Sequence, residues 1–104
     1  MMQYFCGLFD YYTKEMIVDE IITGVSNTRD VMSKFIANRR EDNIIANGKY
    51  YLCVTTKHKA NVVVFLLSTN LNSNGKLVVS GVQAKDLDKE TVDVLVSRTL
   101  QSPE

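Results

Sequence analysis

His58, the only histidine, lies between two cations in Lys57-His58-Lys59. Flanking positive charge lowers a histidine's affinity for a proton, so His58 is a poor general base. With no histidine or cysteine partner near it, it is also a poor metal ligand, and a solvated loop position is expected. The two cysteines, Cys6 and Cys53, form no Cys-x-x-Cys and have no metal-ligand spacing. They read as buried reduced thiols of a cytoplasmic protein; a disulfide between them requires that their strands bring them together. Asp19-Glu20 and Glu41-Asp42 are the carboxylate pairs. On a strand, neighbours such as Asp19 and Glu20 point to opposite faces and cannot act on one substrate. Glu41-Asp42 follows Arg39-Arg40, where a salt-bridged surface is expected. The five glycines fall into no phosphate-binding pattern, and no Gly-x-Ser-x-Gly occurs. A non-enzymatic protein without cofactor or metal is therefore expected.

A second group of residues is basic. Arg39, Arg40, Lys49, Lys57 and Lys59 occur with Tyr50 and Tyr51 in the middle of the chain. Residues 27–76 are rich in Lys and Arg and carry only Asp30, Glu41 and Asp42 as acids; both flanking segments are acidic, and the net charge is zero. Such a stretch can track phosphates. A nucleic-acid-binding module using Arg39, Arg40, Lys57 and Lys59 is thus an alternative reading. It is weakened because Lys49 and the Lys57–Lys59 loop belong at opposite ends of one hairpin, and no RNA-binding sheet motif is present.

The elements that position these residues are legible from periodicity. Gln3 to Phe9 is aromatic and β-rich, and Asp10 to Lys14 reads as its turn. Tyr11 and Tyr12 at that turn suit either an interface knob or a cover for the end of the core. Glu15 to Thr23 fits a helical stripe nearly as well as a strand; its Ile and Val content, Gly24 and the preceding turn favour a strand. Asn27, with Asp30 three positions on, opens a helix whose apolar stripe is Val31, Met32, Phe35 and Ile36. After Gln83 a second helix is expected, capped by Asp88, stapled by Leu87 onto Val92, and burying Leu95, Val96, Thr99 and Leu100.

Lys49 to Gln83 reads as a three-stranded meander. Val62 to Leu67 is a buried-strand run of mostly β-branched residues. A four-residue loop at Lys57–Ala60 sets Val54 opposite Val63, Leu52 opposite Phe65 and Tyr50 opposite Leu67. Asn74-Gly75, read as a two-residue turn, sets Leu71 opposite Val78, Thr69 opposite Ser80 and Leu67 opposite Val82. Tyr50, Leu52, Val54, Val63, Phe65, Leu67, Val78 and Val82 then share one face. Tyr51, Cys53, Val62, Val64, Leu66, Leu77 and Val79 share the other, which is too apolar for free solvation.

The chain of 104 residues has the length of one domain, residues 1–104. No run of roughly 18 apolar residues suggests a membrane span, and no secretory signal is legible at the N-terminus. The expected fold is α+β, in the order ββαβββα, with a five-stranded antiparallel sheet and two helices packed mainly on one face. A bare outer face of that kind calls for a partner; the alternative is that the helices divide, one to each face, and bury both within a monomer. The expected function is protein binding or regulation, as a homodimer through Tyr51, Cys53, Val62, Val64, Leu66, Leu77 and Val79. Small motif-free proteins of this type are common among phage and mobile-element accessory proteins, and that class is the expected setting.

Overall fold

The computed structural model describes residues 2–42 and 47–101. Its elements are β1 (Gln3–Asp10), β2 (Met16–Thr23), α1 (Thr28–Asp42), β3 (Gly48–Thr55), β4 (Val63–Leu71), β5 (Leu77–Gln83) and α2 (Lys89–Gln101). The strands form one antiparallel sheet in the order β2-β1-β3-β4-β5. The ββαβββα order and the antiparallel sheet match the expectation, and the ambiguous segment after residue 15 is a strand.

The placement of the helices does not match. α1 and α2 lie on opposite faces rather than mainly on one. Val31, Met32, Phe35 and Ile36 of α1 are buried with Tyr4, Cys6, Leu8, Tyr50, Leu52, Val54, Phe65 and Leu67. Leu95 and Val96 of α2 are buried with Phe9, Tyr51, Cys53 and Val64. The alternation along β3 separates the two sets, even positions facing α1 and odd positions facing α2. One helix per face suffices because each need cover only part of the width of the sheet. α2 packs on β1 and β3, and α1 on β2 and β3. The margins of the sheet stay partly exposed.

Local chemistry sets the helix ends. Asn27 Oδ1 accepts from the Asp30 N–H at 2.9 Å, and Asn27 Nδ2 donates to Asp30 Oδ2 at 3.1 Å. This cap satisfies a backbone donor that the first turn of α1 would leave open. α2 begins one residue after Asp88, whose carbonyl accepts from the Val92 N–H at 3.1 Å. Leu87 and Val92 both pack against the α2-side core, as a hydrophobic staple requires.

The β3–β4 register is the one expected, with Val54 opposite Val63, Leu52 opposite Phe65 and Tyr50 opposite Leu67. The β4–β5 register is shifted by one residue. Leu71 pairs with Leu77, Thr69 with Val79 and Leu67 with Gly81. The turn has three residues, not two. Asn72 N–H donates to the Lys76 carbonyl at 2.9 Å, and Gly75 N–H donates to the Asn72 carbonyl at 3.0 Å. Gly75 adopts φ 76°, the left-handed conformation that ends a three-residue hairpin loop. Asn72 Oδ1 stabilises this form by accepting from the Asn74 and Lys76 N–H groups. Because side chains alternate, a one-residue shift turns all of β5 over. Leu77 and Val79 therefore pack toward α1, and Val78 and Val82 face the other way.

α2 sits close to β1 because residue 7 has no side chain. A Cβ on Gly7 would lie 2.5 Å from Thr99 Oγ1, 3.0 Å from the Phe9 ring and 3.1 Å from the Met16 methyl. Thr99 is buried and its hydroxyl already donates to the Leu95 carbonyl at 2.8 Å. Gly7→Ala should therefore destabilise the fold by about 1–3 kcal/mol, the usual cost of overpacking. Urea denaturation should show a lower midpoint at unchanged slope.

Candidate functional site

The face expected to be bare is roofed by α2 across its centre. Tyr51, Cys53 and Val64 are buried beneath α2, and Val62 and Leu66 are partly buried in the same cluster. Leu77 and Val79 belong to the opposite core. The seven residues expected to form an interface are thus split between two faces, and most are already covered within one chain. The physical reason is the pairing of one helix with each face, together with the three-residue turn.

The basic group is dispersed as well. Arg39 is only 5% exposed. Its Nη1 lies 3.1 Å from Glu20 Oε1, and its guanidinium carbon lies 4.7 Å from the Phe35 ring centroid. Asn38 Nδ2 donates to the other Glu20 oxygen at 2.6 Å. Arg39 therefore ties α1 to β2 and is not available to phosphates. The side chains of Arg40, Glu41 and Asp42 lie outside the described residues. Lys57 and Lys59 are exposed in the β3–β4 turn with His58, and Lys59 adopts φ 62°. As expected for strand neighbours, Asp19 is exposed and Glu20 is turned inward under α1. Among the described residues, no group of three His, Cys, Asp or Glu side chains could hold a metal ion. Among the same residues, no helix is long and apolar enough to cross a membrane.

Two regions remain accessible and carry distinctive chemistry. The first is β5, one edge of the sheet. Its sequence, Leu77-Val78-Val79-Ser80-Gly81-Val82-Gln83, contains no charge and no proline. Val78 is 44% exposed and Val82 is 60% exposed. Edge strands ordinarily carry Lys, Pro, inward charge or a bulge that discourages pairing. β2, the other edge, has such protection: it carries Asp19 and Glu20, and its register with β1 is interrupted between Leu8 and Phe9.

The second region is the β1–β2 turn. Asp10 Oδ1 accepts from the Tyr12 and Thr13 N–H groups at 2.8 and 2.9 Å. The Thr13 bond, then the Tyr12 bond, holds the Asp10 carboxyl below the usual carboxylate range. Tyr11 lies against Tyr51 at 5.0 Å between centroids, and Tyr12, 72% exposed, meets Tyr11 edge-on at the same separation. Burial, then Tyr11, raises the pKa of the Tyr51 phenol, making it a weaker acid than a free tyrosine. Lys14 Nζ lies 5.6 Å from both the Tyr11 and Tyr51 centroids, and Lys49 Nζ lies 5.2 Å from that of Tyr11. Lys14 adopts φ 64°, a conformation that costs an L-residue roughly 1–2 kcal/mol. Its backbone carbonyl accepts from Arg98 Nη1 at 3.0 Å, and its ammonium donates to the Tyr11 carbonyl at 2.8 Å. Beside the two rings runs an open groove of about 390 Å³, floored by Leu66 and Val82 and walled by Gln83 to Leu87.

Sequence reasoning missed both regions. The signal for β5 was Asn72, whose side chain favours the longer turn. Tyr11 and Tyr12 stand out in the sequence, but nothing local indicates that Lys14, in the β1–β2 turn, and Lys49, on β3, converge on the same ring.

Cys6 and Cys53 are both buried and free, on opposite faces of adjacent strands. Burial pushes the Cys53 thiol up to about 11, and burial together with Glu20 raises Cys6 further still. Neither thiol should react with a disulfide reagent until the chain is unfolded. A folded-state value above the unfolded one means stability that is complete below the ordinary thiol range and lost as pH rises through about 11. Denaturation midpoints should therefore fall as pH climbs from 9.0 toward about 11, less steeply for Cys53→Ala.

Compared with known protein families, curated proteins and solved structures, the chain matches none.

Proposed function

We propose that this chain is a non-enzymatic protein-binding protein that acts as a homodimer, joined through the β5 edge rather than through the broad sheet face. The supporting observation is an edge strand of seven residues with no charge, no proline and two exposed valines. Such an edge offers a row of backbone donors and acceptors to any strand that can lie beside it.

β5 is complementary to itself. Two copies paired antiparallel about a two-fold axis at Ser80 set Val78 opposite Val82 of the second copy, and Val82 opposite its Val78. Cross-strand pairs of β-branched residues contribute about 0.2–1 kcal/mol each. Residues 77–83 carry no charge that such pairing would set against its like, and the interface is isologous, as a two-fold dimer requires. The sheet would then run unbroken through both copies. Buried reduced thiols fit a cytoplasmic setting. The nucleic-acid reading retains less support, because Arg39 is engaged by Glu20.

Light scattering across a concentration series tests the proposal. The wild-type chain should approach twice the monomer mass with rising concentration. Val78→Lys should stay monomeric at the same concentrations, since an edge lysine opposes strand pairing. At concentrations where the wild type is itself monomeric, the two melting temperatures should agree, because Val78 is already 44% exposed. A wild-type monomer at every concentration, or an equally dimeric Val78→Lys, would overturn the reading.

A further inference from the structure

We propose that the cavity at the start of α1 binds the carboxylate of a small organic acid, with the Tyr4 hydroxyl and the first turn of α1 as its donors. The site shares no residue with the β5 edge and does not depend on dimerisation.

The cavity holds about 280 Å³ and is lined by Tyr4, Ser26, Asn27, Thr28, Asn61 and Val63. The topology brings these segments together at one end of the sheet. Tyr4 pairs with Ile22 near the end of β2, and the chain then passes directly into α1. Phe5 pairs with Thr55 at the end of β3, and the β3–β4 connection returns Asn61 to the same corner. Thr56 holds that connection: its hydroxyl accepts from the Ala60 N–H at 2.9 Å, and its N–H donates to the Ala60 carbonyl at 3.3 Å.

Tyr4 is the residue that points to a ligand. It is 3% exposed and packs in the α1-side core. A tyrosine so deeply buried ordinarily finds a partner for its O–H. Among the described residues, none accepts from or donates to this hydroxyl. Nor is the hydroxyl one of the fully enclosed atoms left without a partner. It opens into the cavity that Tyr4 lines, and its partner must come from whatever enters there.

The helix supplies further donors. Asn27 takes the Asp30 N–H with its side chain and the Val31 N–H with its carbonyl. The Thr28 and Arg29 N–H groups precede any intrahelical acceptor and stay open. The Ser26 and Thr28 hydroxyls and the Asn61 amide are likewise unengaged among the described residues. Converging donors at a helix start favour an anion.

Charge decides which anion. No lining side chain is charged. The helix start is equivalent to about half a positive charge, and Asp30 in the same turn opposes any second negative charge on the ligand. A carboxylate, with one charge, fits this balance better than a phosphate dianion. Lys57 and Lys59, exposed in the connection that carries Asn61, add a favourable field from outside the cavity. Val63 offers apolar surface to a short carbon body.

The test is an NMR titration of the full chain with acetate, butyrate, N-acetylglycine and inorganic phosphate, against chloride at matched ionic strength. At least one carboxylate should shift the Tyr4 ring, the Thr28 and Arg29 amides and the Asn61 side chain saturably at millimolar concentration, and chloride should not. Tighter binding of butyrate identifies a free acid as the source; tighter binding of N-acetylglycine identifies a peptide C-terminus. Tyr4→Phe should weaken binding about tenfold, the loss of one hydrogen bond to a charged group. It should not lower the melting temperature, because no internal hydrogen bond is removed. Thr28→Pro removes an open N–H at the helical position where proline is best accepted, and should weaken binding while the helix content stays unchanged. The proposal is overturned if no carboxylate acts beyond chloride, if phosphate binds more tightly than every carboxylate, if Tyr4→Phe melts at a clearly lower temperature, or if both variants bind like the wild type.

Discussion

The architecture depends on β1 and β3 being apolar on both faces. Tyr50, Leu52 and Val54 on one side of β3, and Tyr51 and Cys53 on the other, are all shielded from water. A strand of this kind is stable only in the middle of a sheet with a layer above and a layer below. Two helices must then separate, one to each side, however economical it would be to lay them together. β1 meets the same demand, with Cys6 and Leu8 toward α1 and Phe9 toward α2. Its single glycine lets α2 sit low enough to close the second layer.

The ion pair between Arg39 and Glu20 solves a different problem. β2 is an edge strand, alternately exposed and half-buried along most of its length, so its side chains give α1 little to grip. The Glu20 carboxylate receives both Arg39 and Asn38 from α1, while Phe35 lies against the guanidinium. Desolvating two charges offsets much of their attraction. The gain is positional: α1 is fastened to the margin of the sheet as well as to its centre. A basic residue that a linear reading leaves free is thereby committed to the fold.

Most of the fold was legible because its signals are local. The Asn27 cap, the α1 stripe, the Leu87 staple and the β3–β4 register each depend on residues a few positions apart. Two features were not decided by local signals, although one helix on each face was among the arrangements the sequence allows. The division of the helices between faces depends on how wide a strip each must shelter, and adjacent residues do not state that width. The β5 register turned on a competition between two turn forms that share Asn74-Gly75, settled by Asn72. The interface residues assigned from sequence inherited both errors. The Lys14–Tyr11–Lys49 convergence joins segments 35 positions apart and became visible only with the strands in place.

The hinge of the β4–β5 hairpin governs more than its own shape. With three residues in that bend, the chain hides one half of its last strand and displays the other; with two, the same seven residues would show their opposite side. Loss or gain of a single residue there would exchange what the molecule presents at its margin without altering any side chain in the strand. Binding character at this rim is therefore encoded in the length of a connector, where variation is least costly to the rest of the fold.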